Sequence, residues 1–466
     1  MPEGTYDVAV LGAGTGGYST ALRVAQLGKR VALIERDGRL GGTCLLRGCI
    51  PTKALLRSAE IMDHVNHADR WGIKASGSPD WDAVQAFKGR IVDKIVSGLT
   101  GLIKMRKIEV VNGSGRLVPD GGGEAPAVEV EGVGTIRAAD VVLATGSFPR
   151  LLPGLEITQR IITSDQALEL SFIPTSAIVI GAGAVGLEFA SFYRSMGADV
   201  TVVEALPRMA PLEDEDISKE LARAFRRRGI ESFTGATVQD VKDAGDHVMV
   251  TYETGGKTAT ASADVCLVAV GRGPISDGIG LEQAGVQIER GYVKVDGQLR
   301  TAAPHVWAVG DLAATPYQLA HVSFAEGIAV AERIAGKDVS DLDYVGMPRV
   351  TYSSPEISSV GLTEAQAAER GYELDIEKFN LQALGKANIV GEGGMVKMIA
   401  AAGGGPILGV HMIGPHVTDL VAEAELITNW EATAFDVAAL LHPHPSLSEA
   451  IGESALALAG KSLHTA

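Results

Sequence analysis

Cysteine is scarce in this chain of 466 residues: only Cys44, Cys49 and Cys266 occur. Three cysteines cannot build the disulfide framework of a small secreted protein, so a close pair is better read as redox-active than as structural. Long apolar runs are missing too. Nothing approaches the ~20 consecutive apolar residues that a membrane helix requires. The opening residues carry neither a secretory signal nor an Arg-rich transit peptide. A cytoplasmic protein without membrane contact is the expectation. Positive charge is in deficit, with a net charge of −16. An acidic surface repels phosphate backbones, which argues against nucleic acid as a partner. What remains is a chain of ordinary globular composition, 46% hydrophobic and 21% charged, long enough for several domains.

Two stretches share one plan. Tyr6–Leu11 leads into Gly12-Ala-Gly14-Thr-Gly-Gly17, a helical pattern, Gly28, and Val31-Ala-Leu-Ile-Glu35. Ala177–Ile180 leads into Gly181-Ala-Gly183-Ala-Val-Gly186, a helical pattern, Gly197, and Val200-Thr-Val-Val-Glu204. One shift of 169 positions maps 12 to 181, 28 to 197 and 35 to 204, with no gap. Each copy reads strand, glycine turn, helix, strand, acid. The first glycine makes the tight turn, the second lets backbone approach a pyrophosphate, and the third lets helix and strand pack closely. The helix N-terminus offers free N–H groups to phosphate. An acid at the end of the second strand accepts hydrogen bonds from a ribose diol. One such turn is a weak signal; two complete copies predict that the chain holds two dinucleotides.

The remainder fits an α/β fold. Residues 107–147 read as short strands, a Gly121-Gly-Gly123 turn and a buried strand Val141–Ala144. Residues 235–271 repeat that style and end in the apolar run Val265–Val270, and another apolar strand lies within 301–311. From about 346 the pattern changes. Strands over 348–360 and 394–413, a Gly403-Gly-Gly405 turn, and helices near 363–370 and 417–430 predict a separate α+β domain.

Gly41-Gly-Thr-Cys44-Leu-Leu-Arg-Gly-Cys49-Ile-Pro-Thr-Lys53 follows the first repeat directly. In a regular helix, residues five apart have Cα atoms roughly 8–9 Å apart. A disulfide needs roughly 4.4–6.8 Å. A bridge here therefore requires a distorted turn, for which Gly48 supplies freedom. Such a bridge would be strained and reducible. Two buried structural thiols are the alternative.

This string closely resembles the redox motif of the pyridine nucleotide-disulfide oxidoreductases, and the resemblance extends over essentially the whole chain. It implies two Rossmann-like dinucleotide-binding domains plus a C-terminal α+β dimerisation domain. The expected boundaries are 1–147 for the first part of an FAD-binding domain, 148–273 for an NAD-binding domain, 274–345 for the second part of the FAD-binding or central domain, and 346–466 for the interface domain. Cys49 would be the thiol in contact with the flavin and Cys44 the thiol that exchanges with substrate. Gly42, Thr43 and Lys53 would lie at the flavin, with Lys53 pairing with Glu188. Gly115, the loop Thr145-Gly146-Ser147, Asp311 and Ala320 resemble further flavin contacts, although Asp311 taken alone reads better as a turn residue. Gly271 is placed with the nucleotide sites.

Near the C-terminus stands His442-Pro-His444-Pro-Ser446-Leu-Ser-Glu449. Pro443 and Pro445 forbid a helix here, and Ser446 to Glu449 fits a capping box. The resemblance implies more: His444 as acid–base, Glu449 orienting it, and an obligatory homodimer in which His444 serves the disulfide of the other protomer. Histidine suits the task, since a group titrating near neutrality must take a proton from an incoming dithiol. A solvated loop histidine beside a helix cap is the plainer alternative.

Glu204 would accept from a 2′-hydroxyl and repel a 2′-phosphate, which favours NAD over NADP. No cysteine follows Cys266, which excludes a C-terminal thiol relay. Within the family the chain most resembles the branch that oxidises protein-bound dihydrolipoyl groups, so lipoyl domains of 2-oxo acid dehydrogenase complexes or of glycine cleavage are the implied partners. An NADPH-dependent reductase of low-molecular-weight disulfides is the second reading, and a non-enzymatic flavoprotein scaffold the third.

Overall fold

The computed structural model describes residues 6–119 and 126–464; the expected turn at Gly121–Gly123 lies outside them. The chain divides into two compact units. The first comprises residues 1–54, 85–150 and 272–344, the second 55–84, 151–271 and 345–466.

The first unit is built on a five-stranded parallel sheet. Its order is Val306–Ala308, Ala138–Leu143, Tyr6–Leu11, Val31–Glu35, Glu109–Asn112. Both faces are covered, which is why the centres of these strands read as near-continuous apolar runs. Val8, Val10, Leu33 and Val142 pack on one side with Val309 and Val330. Ala9, Leu11, Ala32, Ile34, Val141 and Leu143 pack on the other, against Leu117 and Val128. The latter two come from a small antiparallel sheet, Gly115–Val118, Ala127–Val130 and Gly134–Ile136. The apolar stretch 301–311 yields only the short strand Val306–Ala308. A turn precedes it, in which Thr301 N–H donates to Val306 C=O at 2.9 Å, and a 3-10 turn at Gly310–Leu312 follows.

The second unit holds the repeat's other copy. Its parallel sheet runs Ile230–Thr234, Asp199–Glu204, Ser176–Ile180, Val265–Val268, Ile161–Ile162. Cys266 is fully buried in that sheet among Ile178, Val203 and Val268, a core residue. Thr237–Asp243, Val248–Thr254 and Lys257–Ala263 form an antiparallel side sheet.

From 349 onward lies an antiparallel sheet, ordered Arg349–Thr351, Glu356–Gly361, Ile407–Gly414, Met395–Ala401, Leu374–Asn380. The region 348–360 is thus two strands, divided at Ser353-Ser354-Pro355, where proline cannot donate to a ladder. Gly403–Gly405 does join two strands. Helices Val417–Asn429 and Glu449–Leu458 supply Val421, Ala424, Ile451 and Ala455 to the core of this region. Among the described residues, no helix is long and apolar enough to cross a membrane.

Candidate active site

The two glycine turns are near copies in space. Gly12 and Gly181 adopt φ of +104° and +103°. A Cβ on Gly12 would lie 2.3 Å from the carbonyl oxygen of Ala144, and one on Gly181 would lie 2.4 Å from that of Ala269. The third glycines are fixed by closer approach still: a Cβ on Gly17 or Gly186 would sit 1.8 or 1.9 Å from the carbonyl oxygen that closes the turn. Gly14 and Gly183 cap helices Thr15–Gln26 and Ala184–Ser195 without a side chain, leaving first-turn N–H groups for an anion. Glu35 Oε2 accepts from Ala13 N–H at 2.8 Å and Oε1 from Asp37 N–H at 2.8 Å. Glu204 does the same with Ala182 N–H at 2.6 Å and Leu206 N–H at 2.7 Å. Each acid thus pins its own glycine turn and retains lone pairs for ribose hydroxyls. Arg208, the one cation just past Glu204, is turned to the carbonyl of Pro211 at 3.0 Å.

In the first unit other expected residues gather around the turn at Gly12. Its close approach to Ala144 sets Thr145, Gly146 and Ser147 at the mouth of the sheet. Thr145 Oγ1 donates to Ile275 C=O at 2.6 Å. Ser147, buried, donates to Asp311 Oδ2 and accepts from Arg272 Nε at 2.7 Å. Arg272 also donates to the Ser147 carbonyl at 2.9 Å and stands 3.9 Å from Asp311. Asp311 lies in the turn after strand Val306–Ala308, and Ala320 opens helix Ala320–Ile334. Gly115 begins its strand against Leu11, where a Cβ would lie 2.6 Å from a methyl.

Gly42 opens helix Gly42–Arg47 against Gly14, with no room for a Cβ between them. This short helix carries Thr43 and Cys44, then breaks at Gly48; Cys49 starts helix Cys49–Asn66. The chain departs from regular helix between the two sulfurs, as the spacing requires. At Gly48 the need is chiefly room, since a Cβ would lie 2.9 Å from Thr43 C=O. Both cysteines are thiols here and are hydrogen-bonded to each other. That bond and burial push the Cys44 thiol well above the ordinary range, while the Lys53 charge pulls the other way. Lys53 stands one turn past Cys49. Tyr18, packed 5.6 Å from Phe324, is raised by its own burial and by the nearby cysteines.

In the second unit His444 Nδ1 lies 2.8 Å from Glu449 Oε1. Glu449 Oε2 accepts from Ser446 N–H at 2.8 Å. The expected capping box is only half formed. The helix starts at Glu449 itself, and the Ser446 hydroxyl bonds Ser448 Oγ at 2.9 Å. Burial works to raise Glu449, yet the Ser446 N–H and His444 outweigh it and hold the carboxyl below its usual range. His444 is largely exposed. Glu188, buried on helix Ala184–Ser195, accepts from Tyr352 N–H at 3.0 Å. Gly271 takes φ +115° in open space.

Sequence reading missed Arg272 and Glu326. Arg272 directly follows an expected site glycine, and Glu326 is the one charge in the otherwise uncharged stretch 322–331, a pattern that marks a buried, partnered acid. Among the described residues no cluster could hold a metal.

Two dinucleotide cradles and a paired dithiol define a class: nucleotide-dependent enzymes that exchange electrons with thiols. Residues 6–327 match the model of the pyridine nucleotide-disulphide oxidoreductases, and residues 347–455 match that family's dimerisation domain. A dihydrolipoyl dehydrogenase of Bacillus subtilis is 43% identical over 98% of this chain and 99% of its own length. One of Rhizobium etli is 40% identical over 99% of each. Among solved structures, LpdA of Mycobacterium tuberculosis superimposes with a TM-score of 0.90 at 27% identity, covering 97% of this chain and 99% of that one. The flavoprotein disulfide reductase RclA of Escherichia coli gives 0.86 at 26%, with the same coverage. The chain belongs to the pyridine nucleotide-disulphide oxidoreductase family, an oxidoreductase family whose cofactors are FAD and a pyridine nucleotide.

Proposed function

We propose that this enzyme oxidises protein-bound dihydrolipoyl groups with NAD+, giving the cyclic disulfide, NADH and one proton. The observation that carries the reading is the hydrogen-bonded Cys44–Cys49 pair held beside the first glycine cradle. Full-length relatives at about 40% identity, named dihydrolipoyl dehydrogenases, point the same way and disfavour the NADPH-linked reductase.

The cradle residues fit the cofactors. Gly12, Gly14, Gly17 and Gly42 leave the space and N–H groups that a pyrophosphate needs, and Glu35 has lone pairs to spare. We assign residues 1–147 and 274–345 to FAD, with Thr43, Lys53, Gly115, Thr145, Gly146, Ser147, Asp311 and Ala320 as its contacts. Residues 148–273 are assigned to NAD, with Gly181, Gly183, Gly186, Glu188, Glu204 and Gly271 at the site. Residues 346–466 form the interface of a homodimer. Bound FAD supplies the route by which an electron pair leaves the dithiol for NAD+.

The protein's own chemistry is thiol exchange. A substrate thiolate attacks Cys44 Sγ in the disulfide form, and the Cys44–Cys49 bond breaks. Cys49 leaves as thiolate, with the Lys53 cation one turn away to favour it. The second substrate thiol, deprotonated, attacks the mixed disulfide, forms the product disulfide and releases Cys44. That sulfur then takes a proton, in keeping with its raised affinity for one. His444 of one protomer accepts the substrate protons for the dithiol of the other, with Glu449 holding its ring and stabilising the cation. Lipoyl domains of 2-oxo acid dehydrogenase complexes or of glycine cleavage are the fitting partners.

Steady-state oxidation of dihydrolipoamide with NAD+ and with NADP+ tests the reading. Turnover with NAD+ far above NADP+ is expected; no turnover, or turnover with NADP+ alone, would remove it.

A further inference from the structure

Glu326 has no solvent exposure and lies on the face of helix Ala320–Ile334 that meets the Gly310–Leu312 turn. Its Oε2 accepts the Gly310 N–H at 2.6 Å, and its Oε1 accepts the Tyr344 hydroxyl at 2.9 Å. Thr315 supplies a further hydrogen bond. The residue after Gly310 is Asp311, whose Oδ2 is taken by Ser147 and whose carbonyl accepts from Gln318 at 3.4 Å. On its other side the turn abuts helix Thr15–Gln26, where a Cβ on Gly16 would lie 3.0 Å from Val309 and 3.7 Å from Gly310 N. The turn is therefore clamped between two helices, and Glu326 supplies the hydrogen bond to its leading N–H.

The choice of glutamate follows from the donor inventory. A main-chain N–H, which can only donate, fixes the need for an acceptor at one end. Hydroxyls at the other end can donate or accept. Burial opposes an ionised carboxylate, and the three donors only partly offset it.

We infer that Glu326 is a positioning residue for the flavin: by holding the Gly310 N–H it fixes the turn that presents Asp311 to FAD. This rests on the assignment of Asp311 as an FAD contact. A group with no solvent exposure would act without touching substrate. Its signature is therefore the affinity and spectrum of the bound flavin. The thiol-exchange step itself should not change.

The test is reconstitution of apoprotein with FAD, read by quenching of flavin fluorescence and by the visible flavin spectrum, for Glu326→Gln, Glu326→Leu and Asp311→Ala. Glu326→Leu should bind FAD about 10- to 100-fold more weakly, the consequence of stranding a buried N–H. Glu326→Gln, whose amide oxygen can face Gly310 while its NH2 faces a hydroxyl, should stay within a few-fold of wild type. Should Glu326→Leu fail to fold, judged by circular dichroism, the soluble Tyr344→Phe chain serves. It removes one donor and leaves the Gly310 bond, so FAD affinity should fall by only a few-fold. Wild-type affinity in a folded Glu326→Leu protein alongside weak binding by Asp311→Ala would overturn the positioning role. So would Gln failing as badly as Leu, or Tyr344→Phe losing FAD outright. Unchanged affinity in Asp311→Ala would instead overturn the assignment of Asp311 on which it rests.

Discussion

The two glycine turns differ by about 1° in φ at their first glycine and by about 0.1 Å in the closeness of their third, yet the segments that follow their acids differ completely. Beyond Glu35 the chain enters Gly42–Arg47 and delivers a dithiol. Beyond Glu204 it enters a buried ionic cluster instead. There Lys397, 1% exposed, bonds Asp214 at 2.7 Å and Asp216 and Glu364 at 2.6 Å, and Glu213 bonds Ser359 and lies 3.5 Å from Arg349. The helix after the first turn packs on helix Ala320–Ile334, where a Cβ on Gly327 would lie 2.3 Å from Ser19 Oγ. The helix after the second buries Phe189, Phe192 and Tyr193 in the core of its unit. A dinucleotide turn is thus a local device, specified by some 30 residues. The neighbouring segment decides whether it serves chemistry or docking.

Substitutions can break this comparison at known points. The largest effect belongs to the first segment. Cys49→Ser should lower dihydrolipoamide turnover by about a thousandfold or more while FAD stays bound. Cys266→Ala, in the second copy's sheet, should leave turnover within a few-fold. Equal losses from both would erase the distinction.

Next comes Lys397→Met, which strands the buried carboxylate of Asp214, while Asp216 keeps Lys378. It should destabilise the second unit by about 3–5 kcal/mol, seen as a lower urea midpoint. A midpoint within error of wild type would mean that the cluster is solvated.

Gly17→Ala and Gly186→Ala follow, each overpacking one turn at a cost of about 3 kcal/mol if the fold survives. The first should lose FAD. The second should keep FAD and weaken NADH binding, measured by calorimetry, and the reverse pattern would exchange the nucleotide assignments.

The smallest effect is acid sensitivity. Burial pushes Asp216 up, but hydrogen bonds from Lys378 and Lys397 outweigh it and hold it at about 2, below its ordinary 3.8. Its contribution is present above pH 3.8 and is lost as the pH falls through 2; solvent screening holds it to about 1 kcal/mol. Asp216→Asn should flatten that part of the stability–pH curve; an unchanged slope would assign the acid sensitivity to other carboxylates.

The same contrast explains what the sequence reveals. Glycine turns, their acids and the apolar runs that feed them are legible because each is fixed by near neighbours along the chain and by one period. The pairing of His444 with Glu449 is legible for the same reason, five residues apart. Ser446 was expected to cap the last helix, and only its N–H takes part, because Ser448 competes for its hydroxyl. Arg272 with Ser147, Glu326 with Gly310 and Lys397 with Asp214 escape sequence reading. Two of these partnerships span more than a hundred positions, and the third joins a helix to a turn whose meeting no periodicity reports. The stretch 301–311 misleads in another way. Residues 306–309 are buried, but only three of them pair as strand.

Everything turns on whether the Cys44–Cys49 pair exchanges electrons with a nucleotide held by the other copy of the turn. Anaerobic titration of the FAD-loaded protein with NADH, with thiols counted at each addition, addresses this directly. Uptake of two electron pairs per chain, with two new thiols that are absent in Cys49→Ser, is the predicted result. Uptake of a single pair, with flavin bleached and no thiol gained, would contradict it.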